Sequence, residues 1–245
     1  MSTLLKRISK IFIVFAAIAL MLCLAGCGNQ ESDQKEQPEE QPKEQPLETK
    51  AGFYQDSYGS VNAAVLITNP NSDLKFDNAY LSITVKDADG KVVASDNEFM
   101  VGDVLPGEEF AVAVSSLLAG DRKAETIEVQ IHSDSPVKSD EKPTAAIDET
   151  TVSTDFDNQA SYDGVTYVTT NGEYTNETEE AYDAILITSL YFDKDENIIT
   201  GAMDDQWNTS KGTSPFETCG LYKGSPKDVA AVKNYIHVYT MNHPQ

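Results

Sequence analysis

One pattern of apolar and polar residues occurs twice in the chain, and this repeat limits the folds that the chain can adopt. Residues 85–93 align with residues 191–199 at an offset of 106 positions. Four further correspondences at or near this offset are Phe76-Asp77 with Tyr182-Asp183, Phe110 with Phe216, Thr68-Asn69 with Thr175-Asn176, and Ile131-His132 with Ile236-His237. Because all five occur in the same order, they predict two copies of a single domain.

The pattern within each copy is typical of β-strands. Leu81, Ile83 and Val85 are separated by single polar residues, as expected for a half-buried strand. Further strands are predicted in the first copy at residues 61–68, 92–94, 110–114 and 127–131, and in the second at residues 165–169, 185–192, 198–199 and 235–239. Residues 87–90, Asp-Ala-Asp-Gly, fit the type I turn of a hairpin. Only residues 225–228 predict a helix start, and that helix would be short.

Short strands at this spacing predict an all-β fold of two tandem immunoglobulin-like Greek-key β-sandwiches. We place the two sandwiches at residues 51–133 and 156–245. Residues 134–155 separate them and contain Pro136, Pro143 and many charged side chains, a composition that predicts a linker.

Residues 81–92 and 105–108 resemble the FxLYD family of bacterial surface domains. The first copy has the family's turn and its Pro106-Gly107 feature, and it keeps Asp87, but Ile83, Val85 and Lys86 replace the Phe, Leu and Tyr of the name-giving motif. The second copy is more divergent and lacks the Pro-Gly pair. The resemblance implies immunoglobulin-like modules of the kind found in lipoproteins, and it implies no catalytic residues.

The N-terminal segment has the order of a secretory signal: three basic residues among the first ten, an apolar run at residues 11–24, and then small residues. This run is shorter than the roughly 20 residues that span a bilayer. Leu24, Ala25, Gly26 and Cys27 resemble the bacterial lipobox, which implies cleavage after residue 26 and a diacylglycerol anchor on Cys27. The alternative is an uncleaved anchor helix. We therefore expect a lipid-anchored protein on the extracytoplasmic side of the cell membrane, with a Gram-positive surface preferred.

The composition after the lipobox changes abruptly. Residues 27–50 are rich in Gln, Glu, Pro and Lys, with little to bury, and they predict a disordered tether. Removal of the signal takes away three basic residues and no acids, so that the formal charge changes from −22 to −25. Such a surface repels nucleic-acid backbones and excludes that partner class. The expected partners are the membrane, through the anchor, and an envelope protein, peptide or glycan.

Catalytic motifs are absent from the sequence, so we expect a protein that is not an enzyme and that needs no cofactor. Asp193, Asp195 and Asn197 are candidate Ca²⁺ ligands, because oxygen atoms at alternate positions can surround one hard cation. The alternative is a solvated hairpin turn. His132 and His237 occupy equivalent strand ends in the two copies, which favours common ancestry over a shared metal site.

Aromatic residues are concentrated in the second copy and suggest a ligand surface if they are exposed. The candidates are Trp207, Tyr162, Tyr167 and Tyr174, with core packing as the alternative. Cys219 is the remaining exported thiol once Cys27 is lipidated, and we expect it to be a buried apolar residue rather than a reactive one.

Three classes of function follow. The leading hypothesis is non-enzymatic binding or scaffolding in the cell envelope by a lipid-anchored protein. The alternative is a small-ligand or calcium-binding lipoprotein that uses the aromatic- and acid-rich second domain. A third class is an envelope enzyme that uses dispersed acids such as Asp183 or Asp193.

Overall fold

The structure is a computed structural model that describes residues 44–157, 164–179 and 182–239. The predicted cleavage box (Leu24, Ala25 and Gly26), the predicted lipidation site Cys27 and most of the predicted tether lie outside the described residues. Lys43–Gln245 form one compact unit. Within the described ranges, the structure contains no helix long and apolar enough to cross a membrane.

The N-terminal half consists of antiparallel strands in two sheets. Its strands are β1 (Glu48–Gln55), β2 (Ser60–Thr68), β3 (Leu74–Lys86), β4 (Val92–Val104), β5 (Glu109–Leu118), β6 (Thr126–His132) and the short β7 (Val137–Lys138). One sheet has the order β1-β2-β5, and the other has the order β4-β3-β6, with β7 also pairing with β3. Strands that are distant in sequence thus become neighbours, as in the Greek-key sandwiches of immunoglobulin type.

The C-terminal half repeats the arrangement of the six longer strands, β1 to β6. Its strands are β8 (Ala145–Asp157), β9 (Val165–Asn176), β10 (Tyr182–Phe192), β11 (Ile198–Thr209), β12 (Gly212–Lys223) and β13 (Ala231–Tyr239). The sheet orders are β12-β9-β8 and β11-β10-β13, which are the orders of the N-terminal half with each strand replaced by its counterpart. The prediction of an all-β fold is therefore confirmed.

The registers of the two halves agree with the repeat, at an offset of 106 residues for β3 and β10 and of 105 for β6 and β13. Tyr80 pairs with His132 between β3 and β6, and Leu186 pairs with His237 between β10 and β13. The hairpins that follow β3 and β10 are also alike. In each, the first Asp of the turn, Asp87 or Asp193, accepts backbone hydrogen bonds from the residues two and four positions later.

The two halves stack into four layers of sheet. Val65 and Ile67 of β2 face the core shared with β3, whereas Ala64 and Leu66 point the other way. The opposite face of β2 packs against the C-terminal half, where Ala64 belongs to one apolar cluster with Leu190 of β10. This arrangement places the sheet β1-β2-β5 directly against the sheet β11-β10-β13.

Strand β10 is buried on both faces because it lies inside this stack. Leu186 contributes to the core of the N-terminal half, and Leu190 lies in the cluster between the halves. Ile185 and Ile187 point in the opposite direction, into a core with Phe216 of β12. This explains the nearly continuous apolar sequence of β10, since a strand with two buried faces needs no polar alternation.

Two segments differ from the predicted boundaries. Most of the predicted linker at residues 134–155 is ordered: it contains β7 and most of β8, and β8 pairs with β9 as the first strand of the C-terminal half. The last residues of the predicted tether form the start of β1, which begins at Glu48 and pairs with β2. In both places charged and polar residues form edge strands, which need little apolar sequence of their own.

The short helix predicted at residues 225–228 is present as a single 3₁₀ turn, Pro226–Asp228. The Ser225 hydroxyl accepts a hydrogen bond from the Lys227 amide, and the Asp228 carboxylate accepts one from the Ser225 amide. This reciprocal capping satisfies amide groups at the start of the turn.

Candidate functional site

A cleft of about 410 Å³ lies between the two halves, at the edges of β5, β11 and β12. Its floor is formed by small residues that include Gly201, Ala202 and Gly220. Its polar groups are Asn62, Ser115, Asp205 and Cys219. An amide, a hydroxyl and a carboxylate around a concave floor can hydrogen-bond a small polar ligand, which makes this cleft the candidate binding site.

Trp207 is connected to this cleft through Asp205. The indole ring is 54% exposed, and its Nε1 donates a hydrogen bond of 2.6 Å to Asp205 Oδ2. The two residues are two positions apart on β11, so their side chains project from the same face of that strand. Of the predicted aromatic candidates, Trp207 has a side-chain hydrogen bond to a residue that lines the cleft, and Tyr167 pairs across strands with Leu221, another lining residue.

The other aromatic candidates are separated. Tyr174 is only 2% exposed and packs with Ile185 and Phe216, so its proposed ligand role was wrong; burial raises the pKa of its hydroxyl. Tyr167 is 40% exposed but belongs to β9, in a different sheet from Trp207. Tyr162 lies outside the described residues.

The candidate calcium ligands form a self-contained turn. The carboxylate of Asp193 accepts hydrogen bonds from the amides of Asp195 and Asn197 and from Asn197 Nδ2. The Asn197 side chain is the main cause that lowers the pKa of Asp193 below its usual value. The Asp195 carboxylate pairs with Lys194 at 2.9 Å. These contacts show that Asp193 stabilises the hairpin turn and that Asp195 pairs with a neighbouring lysine. Calcium binding at this turn stays a prediction.

Over residues 44–157, 164–179 and 182–239, the structure brings no group of three or more His, Cys, Asp or Glu into an arrangement that could hold a metal ion.

Cys219 is exposed, which contradicts the prediction that it is buried. It projects from β12, an edge strand, and its Sγ lies 3.7 Å from Glu217 Oε1 on the same strand. The physical reason is its place in the alternation of β12: Thr218 and Gly220 point inward, so that Cys219 points outward.

Sequence reasoning missed the most enclosed ionisable pair of the described chain. His237 on β13 is 2% exposed, and Glu108, just before β5, is 5% exposed. His237 Nδ1 lies 2.8 Å from Glu108 Oε1, and the imidazole ring stacks on Phe110 with ring centroids 3.8 Å apart. The equivalent residue of the other half, His132, stacks on Tyr80 instead. The signal in the sequence for its burial was the position of His237 among the apolar and aromatic residues of β13, between Ile236 and Val238.

Comparisons with known proteins give fold similarity only. No family model matches the chain, and no curated protein matches it. Among solved structures, a protein described as a beta-galactosidase from Bacteroides fragilis aligns with 71% of this chain at 9% identity and a TM-score of 0.29. A beta-glucuronidase of glycoside hydrolase family 2 aligns with 70% at 13% identity and a TM-score of 0.29. The chain spans 29% and 21% of the lengths of those two proteins, and these similarities carry no argument about activity.

Proposed function

We propose that the protein is a lipid-anchored extracytoplasmic protein that binds or scaffolds a partner in the cell envelope without catalysing a reaction. The lipobox at residues 24–27 motivates the anchor, and the resemblance to FxLYD modules motivates the surface location. The observation that carries the binding role is the contact between the two halves. Ala64, Leu190, Phe192 and Ile198 form a buried apolar cluster across it, so the described residues form one body rather than two loosely connected domains.

A body of this kind suits binding better than two mobile domains would. Since the relative positions of the two halves are fixed by packing, surface groups on both halves can contact one partner without an additional loss of conformational entropy. The tether would give this body its reach from the membrane.

The anchor is tested by replacing Cys27. Cys27→Ala is expected to abolish labelling by a radioactive or alkyne fatty acid and to release the protein from the membrane fraction. Cys23→Ala is the matched control, because this cysteine lies in the predicted signal and is expected to leave labelling intact. Persistent labelling of Cys27→Ala would refute the anchor.

The binding role is tested by photo-crosslinking on intact cells. A photoreactive side chain at exposed positions of the mature protein is expected to capture a specific envelope component in the wild-type background. The same probe in a Gly52→Ala background, which disturbs the contact between the halves, is expected to capture less. Equal capture by both would contradict a role for the joined body, and a turnover assay that succeeds on an envelope substrate would contradict the non-enzymatic proposal.

The second candidate function is the binding of a small polar ligand, and the cleft beside Asp205 favours it. Trp207 is the single tryptophan of the chain, so its fluorescence reports on this site without interference. Envelope glycan fragments and short peptides are expected to change its emission in a saturable way. Asp205→Asn is expected to weaken the response, whereas Asp89→Asn, which removes the same charge at an exposed hairpin turn, should not. Emission that none of these ligands changes would remove this candidate.

A further inference from the structure

The two ring nitrogens of His237 both face hydrogen-bond acceptors. Nε2 lies 2.7 Å from the backbone carbonyl oxygen of Val101, which can only accept, so Nε2 carries a hydrogen. Nδ1 lies 2.8 Å from Glu108 Oε1. The other carboxylate oxygen, Oε2, accepts a hydrogen bond of 2.8 Å from the Leu105 amide. The Val101 carbonyl can only accept a hydrogen bond and the Leu105 amide can only donate one, so these two contacts fix the orientation of the His237–Glu108 pair.

These contacts require one additional proton. A neutral imidazole with its hydrogen on Nε2 would present a lone pair from Nδ1 to an ionised Glu108, and two acceptors at 2.8 Å repel each other. A proton between Nδ1 and Oε1 removes the conflict, whether it is written as an imidazolium with a carboxylate or as a neutral imidazole with a carboxylic acid. Both side chains are almost fully buried, so solvent relieves this conflict far less than it would at the surface.

The pair joins the two halves. His237 belongs to β13 of the C-terminal half, whereas Glu108, Val101 and Phe110 belong to the N-terminal half. From these observations we infer that His237 and Glu108 form a proton-dependent latch, which holds the halves together while the shared proton is present and weakens when it is lost. The latch would make the stability of the contact between the halves depend on pH, whatever ligand or partner the protein binds.

Other titratable groups surround the latch but do not form its hydrogen bonds. The titratable groups on the strands packed against His237 are Asp96, Glu98 and Asp103 on β4, Glu109 on β5, Asp148, Glu149, Asp155 and Asp157 on β8, Tyr182, Asp183 and Tyr191 on β10, and Lys233, Tyr235 and Tyr239 on β13 itself. Asp103 pairs with Lys75 at 3.4 Å. Burial, with Glu109 as a smaller cause, raises the pKa of Tyr235 to about 12, so Tyr235 stays protonated near neutral pH. Within the described ranges, the hydrogen bonds of the ring go to Glu108 and Val101.

The direction of the pH effect follows from proton counting. In an unfolded chain a histidine is mostly neutral above about pH 6.5 and a glutamate is ionised. The folded latch then holds one more proton than the unfolded chain does. Between about pH 4.3 and pH 6.5 the unfolded chain also holds one proton on these two residues, so the latch contributes its full stability there. Above about pH 6.5 the unfolded chain releases that proton, and the stability from the latch decreases as the pH rises. One proton corresponds to an unfolding equilibrium constant that increases by up to about tenfold per pH unit in this window.

The test is urea unfolding of the mature chain between pH 6 and pH 9, with Glu108→Gln as the main variant. A glutamine amide donates a hydrogen bond to Nδ1 of a neutral imidazole, and its oxygen still accepts from the Leu105 amide. The latch then needs no extra proton. Glu109→Gln is the matched control, since it removes the same charge one residue away at an exposed position. His132→Gln controls for the other described histidine.

The wild type, Glu109→Gln and His132→Gln are expected to show the rise of the unfolding constant with pH, and Glu108→Gln is expected to show little of it. Nitrogen NMR of labelled histidine supplies a readout that does not depend on folding of the variants. His237 in the wild type should show either an imidazolium or a neutral ring whose Nδ1 accepts a hydrogen bond from Glu108. Equal pH dependence in wild type and Glu108→Gln, or a neutral Nδ1–H ring at pH 7, would overturn the latch.

Discussion

The Thr188 hydroxyl donates a hydrogen bond of 2.8 Å to the backbone carbonyl oxygen of Ala111. Thr188 lies on β10 of the C-terminal half, and Ala111 lies on β5 of the N-terminal half. Both residues are buried, so this bond crosses the contact between the halves away from water. It adds a buried polar contact to the apolar cluster that joins the two halves.

Replacement of Thr188 by Val is expected to lower the free energy of unfolding by about 1–3 kcal/mol, because the similar shape keeps the packing but leaves the Ala111 carbonyl without its donor. Chemical denaturation measures this change. The control is Thr213→Val: that hydroxyl bonds to Thr175 at an exposed position and should cost little. Equal losses of unfolding free energy in the two variants would show that the buried Thr188–Ala111 bond stabilises the chain no more than an exposed bond does.

Gly52 lies where β1 of one half meets β11 of the other. A Cβ at this position would lie 1.8 Å from the backbone oxygen of Ile198, which no side-chain rotation can relieve. Gly52→Ala is therefore expected to destabilise the chain by about 3 kcal/mol or more. Gly90→Ala provides the comparison, since a Cβ there meets no atom and only the positive φ of 76° opposes it, at roughly 1–2 kcal/mol. A Gly52→Ala variant as stable as the wild type would contradict the close approach of the halves.

Glu196 adopts a left-handed backbone with φ of 61°, at the position equivalent to Gly90 in the other hairpin. Non-glycine residues pay a steric cost for this conformation. Glu196→Gly is expected to raise the melting temperature, by a gain of about 0.5–1 kcal/mol in unfolding free energy. Glu196→Ala also removes the charge but keeps the Cβ, and it should leave stability nearly unchanged. A larger gain for Ala than for Gly would show that charge, and not backbone strain, governs this turn.

Cys219 is exposed on β12, and the expected consequence is rapid reaction with a thiol reagent in the native state. In the mature chain with Cys27→Ala, one thiol should be titrated without denaturant, and urea should add no further thiol. Cys219→Ser provides the blank for the assay. A thiol that reacts only after unfolding would place Cys219 in the interior, as the sequence had suggested.

The sequence predicted the strands in which apolar and polar residues alternate clearly. It did not predict the strands with few apolar residues, which are held in place by pairing with neighbouring strands. Leu81, Ile83 and Val85 were assigned correctly to a strand because one face of β3 is apolar and the other is polar. Strands β1, β8 and β12 were not predicted because they are edge strands rich in polar residues, glycine or proline. Pro215 is compatible with β12 only because the strand lies at a sheet edge.

The contact between the halves could not be predicted either, although the repeat itself could. A buried residue such as Leu190 has the same apolar character whether it faces its own sandwich or the other one. The candidate site could not be predicted for the same reason. Composition indicated Trp207, but its link to the cleft depends on a hydrogen bond to Asp205. The cleft itself is formed by residues of both halves. The repeat also placed His132 and His237 at equivalent strand ends, but the stacking of the halves gives the two histidines different surroundings.

Differential scanning calorimetry of the mature chain tests most directly whether the two halves form one cooperative body. If the two halves form one cooperative body, the chain should unfold in a single transition, with equal van't Hoff and calorimetric enthalpies. Gly52→Ala should shift this transition to lower temperature as a whole or divide it into two. Two separate transitions in the wild type, with one unaffected by Gly52→Ala, would contradict the joined body and restore two independent domains.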